Sequence, residues 1–319
     1  MACEGESDGK TISGPPADGH GASAAGALQP PLARAGAGAM QSSALPRASD
    51  RAARAPRERR GDIVTAPGPA GRGLQIDRMA VTMEIRFLGH AAFELNDGST
   101  RVLIDPFLTG NPLGAVAADE LSPDALLLTH GHADHFGDTV SIAKRAEPDV
   151  VAIVEIANEL GEEGVQNVRD PNLGGTVRFE WGWVKLVPAW HTSTTPKGTV
   201  NTPAGLIVNL GGKTIYHLGD TSLFSDLSLM RGMAATAAGQ TGQGDGGIDV
   251  ALMCIGGHYT LDRFDGVEAA RLIGARQVVP CHYNTFPPIE ADAEAFKADV
   301  EGAGHAEVVV LEPGATHTI

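Results

Sequence analysis

"LLLTHGHADHFGD", residues 126–138, opens as a strand-length apolar run and then sets His130, His132 and His135 beside Asp134 and Asp138. The chain has 11 histidines in 319 residues, and three of them fall within these six positions. A solvated loop has no use for such a concentration. A packed core would not tolerate it, because each imidazole and carboxylate would need its own buried partner. A metal uses all of these side chains at once, and it obliges the rest of the chain to supply further ligands.

The supply lies at the ends of other apolar runs. His191 ends "VKLVPAWH", Asp220 ends "TIYHLGD" and His282 ends "QVVPCH". Strand exits gather side chains at one edge of a sheet, so His130, His132, Asp134, His135, His191, Asp220 and His282 form one candidate ligand set. Neutral imidazoles bind borderline divalent metals, and a carboxylate can bridge two of them. Two divalent ions are expected, with zinc first and manganese or iron also suited.

HxHxDH, an isolated His, an Asp in a "GDT" turn and a late His together resemble the motif series of the metallo-β-lactamase superfamily. The resemblance covers residues 83–319. It implies an α+β fold, the four-layer αββα sandwich of two mixed sheets flanked by helices, with a dinuclear site at one end. By position, His130, His132 and His191 would hold the first ion. Asp134, His135 and His282 would hold the second, with Asp220 bridging. "FLGHAAFEL", "LIDPFLTGNP", "IGGHYTLD" and "CHYNTFPPI" further resemble a branch of uncharacterised metal-dependent hydrolases similar to ascorbate-6-phosphate lactonase. The phospholipase D that cleaves N-acylethanolamine phospholipids is a more distant likeness.

The chemistry expected of such ions is hydrolysis. A metal-bridging hydroxide, formed because the ions lower the pKa of a shared water, would cleave a small ester, lactone or phosphoester. Asp134 would accept the proton and orient the nucleophile. His258, with Tyr259 in "GGHYT", would serve as oxyanion donor or leaving-group acid; a surface loop pair is the plainer alternative. Asp105 in "LIDP" would fix the ring of a ligand histidine, or merely end a strand. His90 reads equally as structural or as a site residue, and Asn284 as a motif position or a turn cap. Cys281 precedes a ligand and should point the opposite way, into the core. Trp181 and Trp183 read as packing on one face. His20, His217, His305 and His317 are given no role.

Composition bounds the rest. Residues 1–78 hold no Phe, Trp or Tyr, and stretches such as "GHGASAAGALQPPLARAGAGA" cannot bury enough apolar surface to offset ordering entropy. This tail is expected to be disordered, or to follow from a start assigned upstream of Met79 or Met83. The hydrolase domain is then 79–319. The tail carries 10 Lys+Arg against 8 Asp+Glu, so the whole-chain charge of −15 leaves −17 on the domain. Such a domain repels nucleic acid, which counts against a nuclease of the same fold and favours a small-molecule substrate. A di-iron oxidoreductase would carry a carboxylate where His132 stands. A non-catalytic metal-binding relative would have lost ligands. Cys3, Cys254 and Cys281 make no disulfide framework, so a reducing, cytoplasmic setting is expected. No run suits a membrane span, and a homo-oligomer is left open.

Along the domain, Asn96-Asp97-Gly98 marks one hairpin and Gly211-Gly212 another. Asp138 sits where a helix N-cap belongs. "DALLLTH", "DVVAIVEI", "IDVALMCIGG" and "QVVPCHYN" read as buried strands, with two more around Gly182 and a closing strand in "AEVVVLEPG". "DGVEAARLIGA" and "IEADAEAFKADVEGAG" read as helices. Residues 231–247, "RGMAATAAGQTGQGDGG", read as a flexible loop insertion.

Overall fold

Strands β1 (Glu84–Gly89), β2 (Ala92–Asn96), β3 (Arg101–Ile104), β4 (Ala125–Leu127), β5 (Asp149–Val151) and β6 (Val168–Arg169) form one sheet, joined by the last strand, β14 (Thr316–Thr318). Their order is β14-β1-β2-β3-β4-β5-β6. The second sheet runs β13-β12-β11-β10-β9-β8-β7. It is built from β7 (Thr176–Phe179), β8 (Gly182–Pro188), β9 (Ala204–Leu210), β10 (Lys213–His217), β11 (Val250–Cys254), β12 (Gln277–Cys281) and β13 (Glu307–Val308). These coordinates are a computed structural model, which describes residues 82–240 and 247–319. The expectations for residues 1–78, for the domain's first residues and for 241–246 lie outside the described residues.

Each sheet is half antiparallel and half parallel: β1–β3 and β7–β10 turn back as hairpins, while β3–β6 and β10–β13 run parallel. Alternation along the second sheet separates its two faces, because successive strand side chains point to opposite sides. Val184, Leu186, Leu206, Val208, Ile215, Val250 and Leu252 share a core with the first sheet. Trp183, Val187, Ile207, Tyr216, Ala251 and Met253 face a second core. Helices α4 (Met230–Ala237), α5 (Arg263–Ile273) and α6 (Ala293–Gly302) cover that side with Ala234, Ala270, Ile273 and Phe296. Helices α2 (Thr139–Ala146) and α3 (Val154–Glu162) add Ile142, Ile156 and Leu160 to the core of the first sheet. The four layers are therefore helix, sheet, sheet, helix. Among the described residues no helix is long and apolar enough to cross a membrane.

Several local expectations are corrected. "DVVAIVEI" is a strand over its first three residues and then starts α3, which buries Ile156, Ala157 and Leu160 along one side. A short apolar run has no period long enough to separate the two cases. Residues 230–237 are helical, burying Met230, Ala234, Ala235 and Ala237; alanine-rich composition reads as low complexity but is also the best helix former. The expected closing strand β13 is short, and the chain goes on to pair β14 with β1. Trp181 and Trp183 do not share a face. Trp183 belongs to the helix-covered core, whereas Trp181 stacks on Phe179 at 4.6 Å in the β7–β8 turn and packs toward the inter-sheet core. Asp138 does occupy the N-cap position of α2, but its carboxylate makes no cap hydrogen bond and accepts from the backbone N–H of Leu108 and Thr109 instead, at 3.1 and 2.8 Å. Cys281 is core, as expected.

Candidate metal centre

Strands β4, β8, β10 and β12 deliver their C-terminal ends to one edge of the sandwich. β4 runs into His130 and the short helix α1 (Ala133–Phe136), which carries Asp134 and His135. β8 runs into His191, β10 into Asp220 and β12 into His282. The β1–β2 turn adds His90. All seven expected ligands and His90 meet there, in two groups: His130, His132, His191 and Asp220, and His90, Asp134, His135 and His282. Within each group one ligand atom per residue lies within 4.8 Å of the others.

Asp220 touches both groups. Its Oδ2 is 3.6 Å from His191 Nε2, 3.9 Å from His130 Nε2 and 3.0 Å from His282 Nε2, while its Oδ1 is 3.3 Å from His135 Nε2. Hydrogen bonds behind the rings decide which nitrogens face inward. Asp105 accepts from Thr129 N–H at 2.8 Å, from Thr129 Oγ1 at 2.6 Å and from His135 Nδ1 at 2.8 Å. Thr129 has given its one hydroxyl proton to Asp105, so at 3.0 Å it accepts from Nδ1 of His130. Both rings thus turn Nε2 toward the centre, that of His130 as a lone pair. Asp105 thus stands behind one candidate ligand directly and behind a second through Thr129.

His90 resolves differently. Its Nε2 lies 3.2 Å from Asp134 Oδ2 and its Nδ1 2.8 Å from Thr285 Oγ1. Burial, then the neighbouring His282, lowers its pKa from 6.5 to about 4, so the ring is neutral at pH 7. With an ionised carboxylate before it, Nε2 carries the proton, and a donor nitrogen cannot also ligate. His90 holds Asp134 in place. His217 is likewise structural: it donates from Nε2 to the carbonyl of Ala91 at 3.0 Å and accepts at Nδ1 from Gly219 N–H, tying the β1–β2 turn to the Asp220 loop.

The electrostatics suit a cation. Burial, then repulsion by His135, holds His130 well below the ordinary histidine range, and His132 and His191 are lowered with burial as the leading cause. Burial would raise Asp220, but His282 and His135 outweigh it and keep it well below the carboxylate range. Burial would lower His135, but Asp220 and Asp105 outweigh it and raise it well above 6.5. Nε2 of His135, Oδ1 of Asp220 and both ring nitrogens of His282 are buried without a hydrogen-bond partner. Such atoms are normally satisfied in native structures. Nε2 of His130 and Nδ1 of His132 also face each other at 3.1 Å. Convergent lone pairs and an ionised carboxylate of this kind fit divalent ions, and the N/O donor set suits zinc, manganese or iron.

The site is built on strained backbone. His90, Asp105 and His282 have φ of 58°, 45° and 54°, a region costly for residues other than glycine and commonest at functional positions. Gly131, between His130 and His132, is fixed by packing: a Cβ there would lie 2.6 Å from Asn201 Nδ2 and 2.8 Å from Thr195 Cγ2. Its N–H donates to Ser193 Oγ at 2.8 Å, and Thr195 donates to the buried Glu159 at 2.6 Å. These contacts tie the loop after His191 to the HxH segment. Nothing in residue type announced them.

A cavity of about 630 Å³ opens over the centre, lined by His132, Asp134, His191, Asp220 and His282 together with Phe107, Ala133, Thr192, Tyr259 and Phe286. His258 is exposed and is not among the lining residues, whereas its neighbour Tyr259 is. Asn284 caps a turn: its side chain accepts from Ala291 N–H at 2.9 Å.

Comparison with known proteins agrees with this geometry. The chain matches the Beta-lactamase superfamily domain over residues 100–283, a span that contains all seven expected ligands. It is 48% identical over 236 residues to a UPF0173 metal-dependent hydrolase of Thermus thermophilus, covering 73% of this chain and 97% of the relative. A UPF0173 metal-dependent hydrolase of Thermococcus onnurineus is 45% identical over 236 residues, with the same coverage of both chains. Among solved structures, Igni18, a metallo hydrolase of the hyperthermophilic archaeon Ignicoccus hospitalis, superposes with a TM-score of 0.65 at 35% identity, covering 75% of this chain and 98% of its own. The chain belongs to the metallo-β-lactamase superfamily, among its metal-dependent hydrolases.

Proposed function

We propose that this hydrolase works with two divalent ions, zinc first and manganese or iron as alternatives, on a small ester, lactone or phosphoester. The observation that carries this reading is Asp220: a buried carboxylate within 4 Å of four histidines from both groups, with one oxygen left without a hydrogen bond. His130, His132 and His191 would hold one ion, Asp134, His135 and His282 the other, and Asp220 both. When bound, such ions polarise a scissile carbonyl or phosphoryl group and make water acidic enough to act at neutral pH.

The chain's own residues do the rest. Asp134 faces the cavity and is held ionised: burial would raise it, but the hydrogen bond from His90 and the charge of His135 lower it. So low a pKa suits a ligand that also orients an attacking water more than a proton store. Tyr259 brings a hydroxyl to the cavity wall and is assigned the donor role toward the leaving group. Asp105 and Thr129 fix the rings of His135 and His130, so the ligand atoms need little rearrangement.

The test is to strip the purified protein with a chelator, reload it with zinc, manganese or ferrous iron, and assay esters, lactones and phosphoesters. Activity absent from the stripped protein and restored by a metal is expected. A fully loaded protein inert toward all three classes would overturn the reading.

A further inference from the structure

Resting on that hydrolase reading, we infer that the part of the substrate beyond the scissile bond is uncharged and apolar, an alkyl or aryl arm. The substrate is then an apolar ester or lactone, not a sugar phosphate or nucleotide. The cavity residues that are not candidate ligands are Phe107, Ala133, Thr192, Tyr259 and Phe286. Three are aromatic, one is a methyl group and one a small hydroxyl. None is a lysine or an arginine.

The two phenylalanines come from the two different sheets, Phe107 after β3 and Phe286 after β12. Their ring centroids lie 6.4 Å apart, and each meets the edge of His90, at 5.8 and 5.7 Å. This places an aromatic wall directly beside Asp134 and His282. Tyr259 continues the lining and is 56% exposed at its outer side. An aromatic wall rewards burial of alkyl and aryl groups. A phosphate or carboxylate set against it would lose its hydration without gaining a cation. Among the described residues the acids of the lining are Asp134 and Asp220, and they add repulsion. The ions could meet a charge at the reacting bond itself, but no side chain of this lining meets a charge further along.

The experiment is a substrate ladder on the metal-loaded, full-length protein. It uses p-nitrophenyl esters from acetate to octanoate and γ-lactones of increasing alkyl length. Against these stand 6-phosphogluconolactone and the p-nitrophenyl ester of 6-phosphonooxyhexanoic acid, both charged beyond the scissile bond. We expect kcat/KM to rise roughly fourfold per added methylene until the cavity is filled, as burial of a CH2 group implies. The two phosphate-bearing compounds should fall at least about tenfold below their neutral counterparts. In Phe286→Ala the KM for hexanoate should rise more than that for acetate, and Phe286→Leu should restore most of the difference. Calorimetry with hexananilide, a slow-reacting amide, should show binding that weakens in the same order. A flat ladder, or preference for the phosphate-bearing compounds with the metal dependence intact, overturns the inference and leaves the hydrolase reading standing. A loaded protein that turns over nothing overturns both.

Discussion

Asp105 and His135 meet at 2.8 Å, both fully buried, and Asp105 holds Thr129 at 2.6 Å with its same oxygen. One carboxylate thus sets the inward nitrogen of His135 directly and that of His130 through a hydroxyl. Asp105→Asn keeps the shape but weakens acceptance from both partners. Metal affinity should fall about 10- to 100-fold, the usual range for such supporting groups. A chelator-competition titration, with circular dichroism as the check on folding, measures it. Unchanged affinity would make Asp105 a strand-end carboxylate and nothing more.

Gly131 predicts a loss that residue chemistry alone would not suggest. Gly131→Ala adds one methyl group with neither donor nor charge, yet that carbon would overlap Asn201 and Thr195. The loop after His191 must move away from the HxH segment, at a cost of about 1–3 kcal/mol typical of overpacking. Chemical denaturation of the metal-free variant should show that loss, and metal titration should show His191 contributing less.

The metal-free protein should lose stability as pH falls from neutrality. His90, His130, His132, His191 and His217 all have folded pKa values below the ordinary 6.5. Below pH 6.5 the unfolded chain therefore takes up protons that the folded chain refuses, and stability drops through that window down to about 4, where His90 titrates. His135 opposes this: raised in the fold, its contribution is complete at low pH and is lost as pH rises through its folded value. One raised group against five lowered ones leaves the balance with the loss. Melting temperature should fall by several degrees between pH 7 and pH 5, since each kcal/mol shifts a domain of this size by about 2–4 °C. A melting temperature that rises over the same interval would mean that His135 dominates.

His258 and Tyr259 separate by the same logic. Tyr259→Phe, which removes the hydroxyl at the cavity wall, should lower kcat by about 10- to 100-fold as expected for a lost donor to the leaving group. His258→Ala, on the exposed side of the same turn, should leave kcat within about twofold. The reverse order would return the catalytic role to His258.

How much of this was legible in sequence follows from the kind of information each feature needs. The seven expected ligands were readable because they are chemistry-bearing residues at the ends of apolar runs, and strand exits convert sequence position into spatial proximity. Asp105 was half readable, a carboxylate after a strand without a visible partner. The turn at Gly89 and His90 is hidden, because "FLGHAAF" is apolar but for His90 and the reversal depends on φ of 105° and 58°. The start of helix α3 reads as strand because its first residues, Val154 to Ile156, continue an apolar run rich in β-branched residues. Gly131, Glu159 and Thr195 act through contacts 36 to 70 residues apart, which no local pattern encodes. The aromatic wall from Phe107 and Phe286 joins two distant loops for the same reason.

The most direct test of the central claim is the metal content per chain of the purified protein, compared with that of Asp220→Ala. With Asp220 between the two groups, about two ions per chain are predicted after reconstitution, falling clearly in the variant while circular dichroism stays unchanged. Absence of stoichiometric metal in the wild type after reconstitution with zinc and manganese would contradict the account, as would a content that Asp220→Ala leaves unaltered.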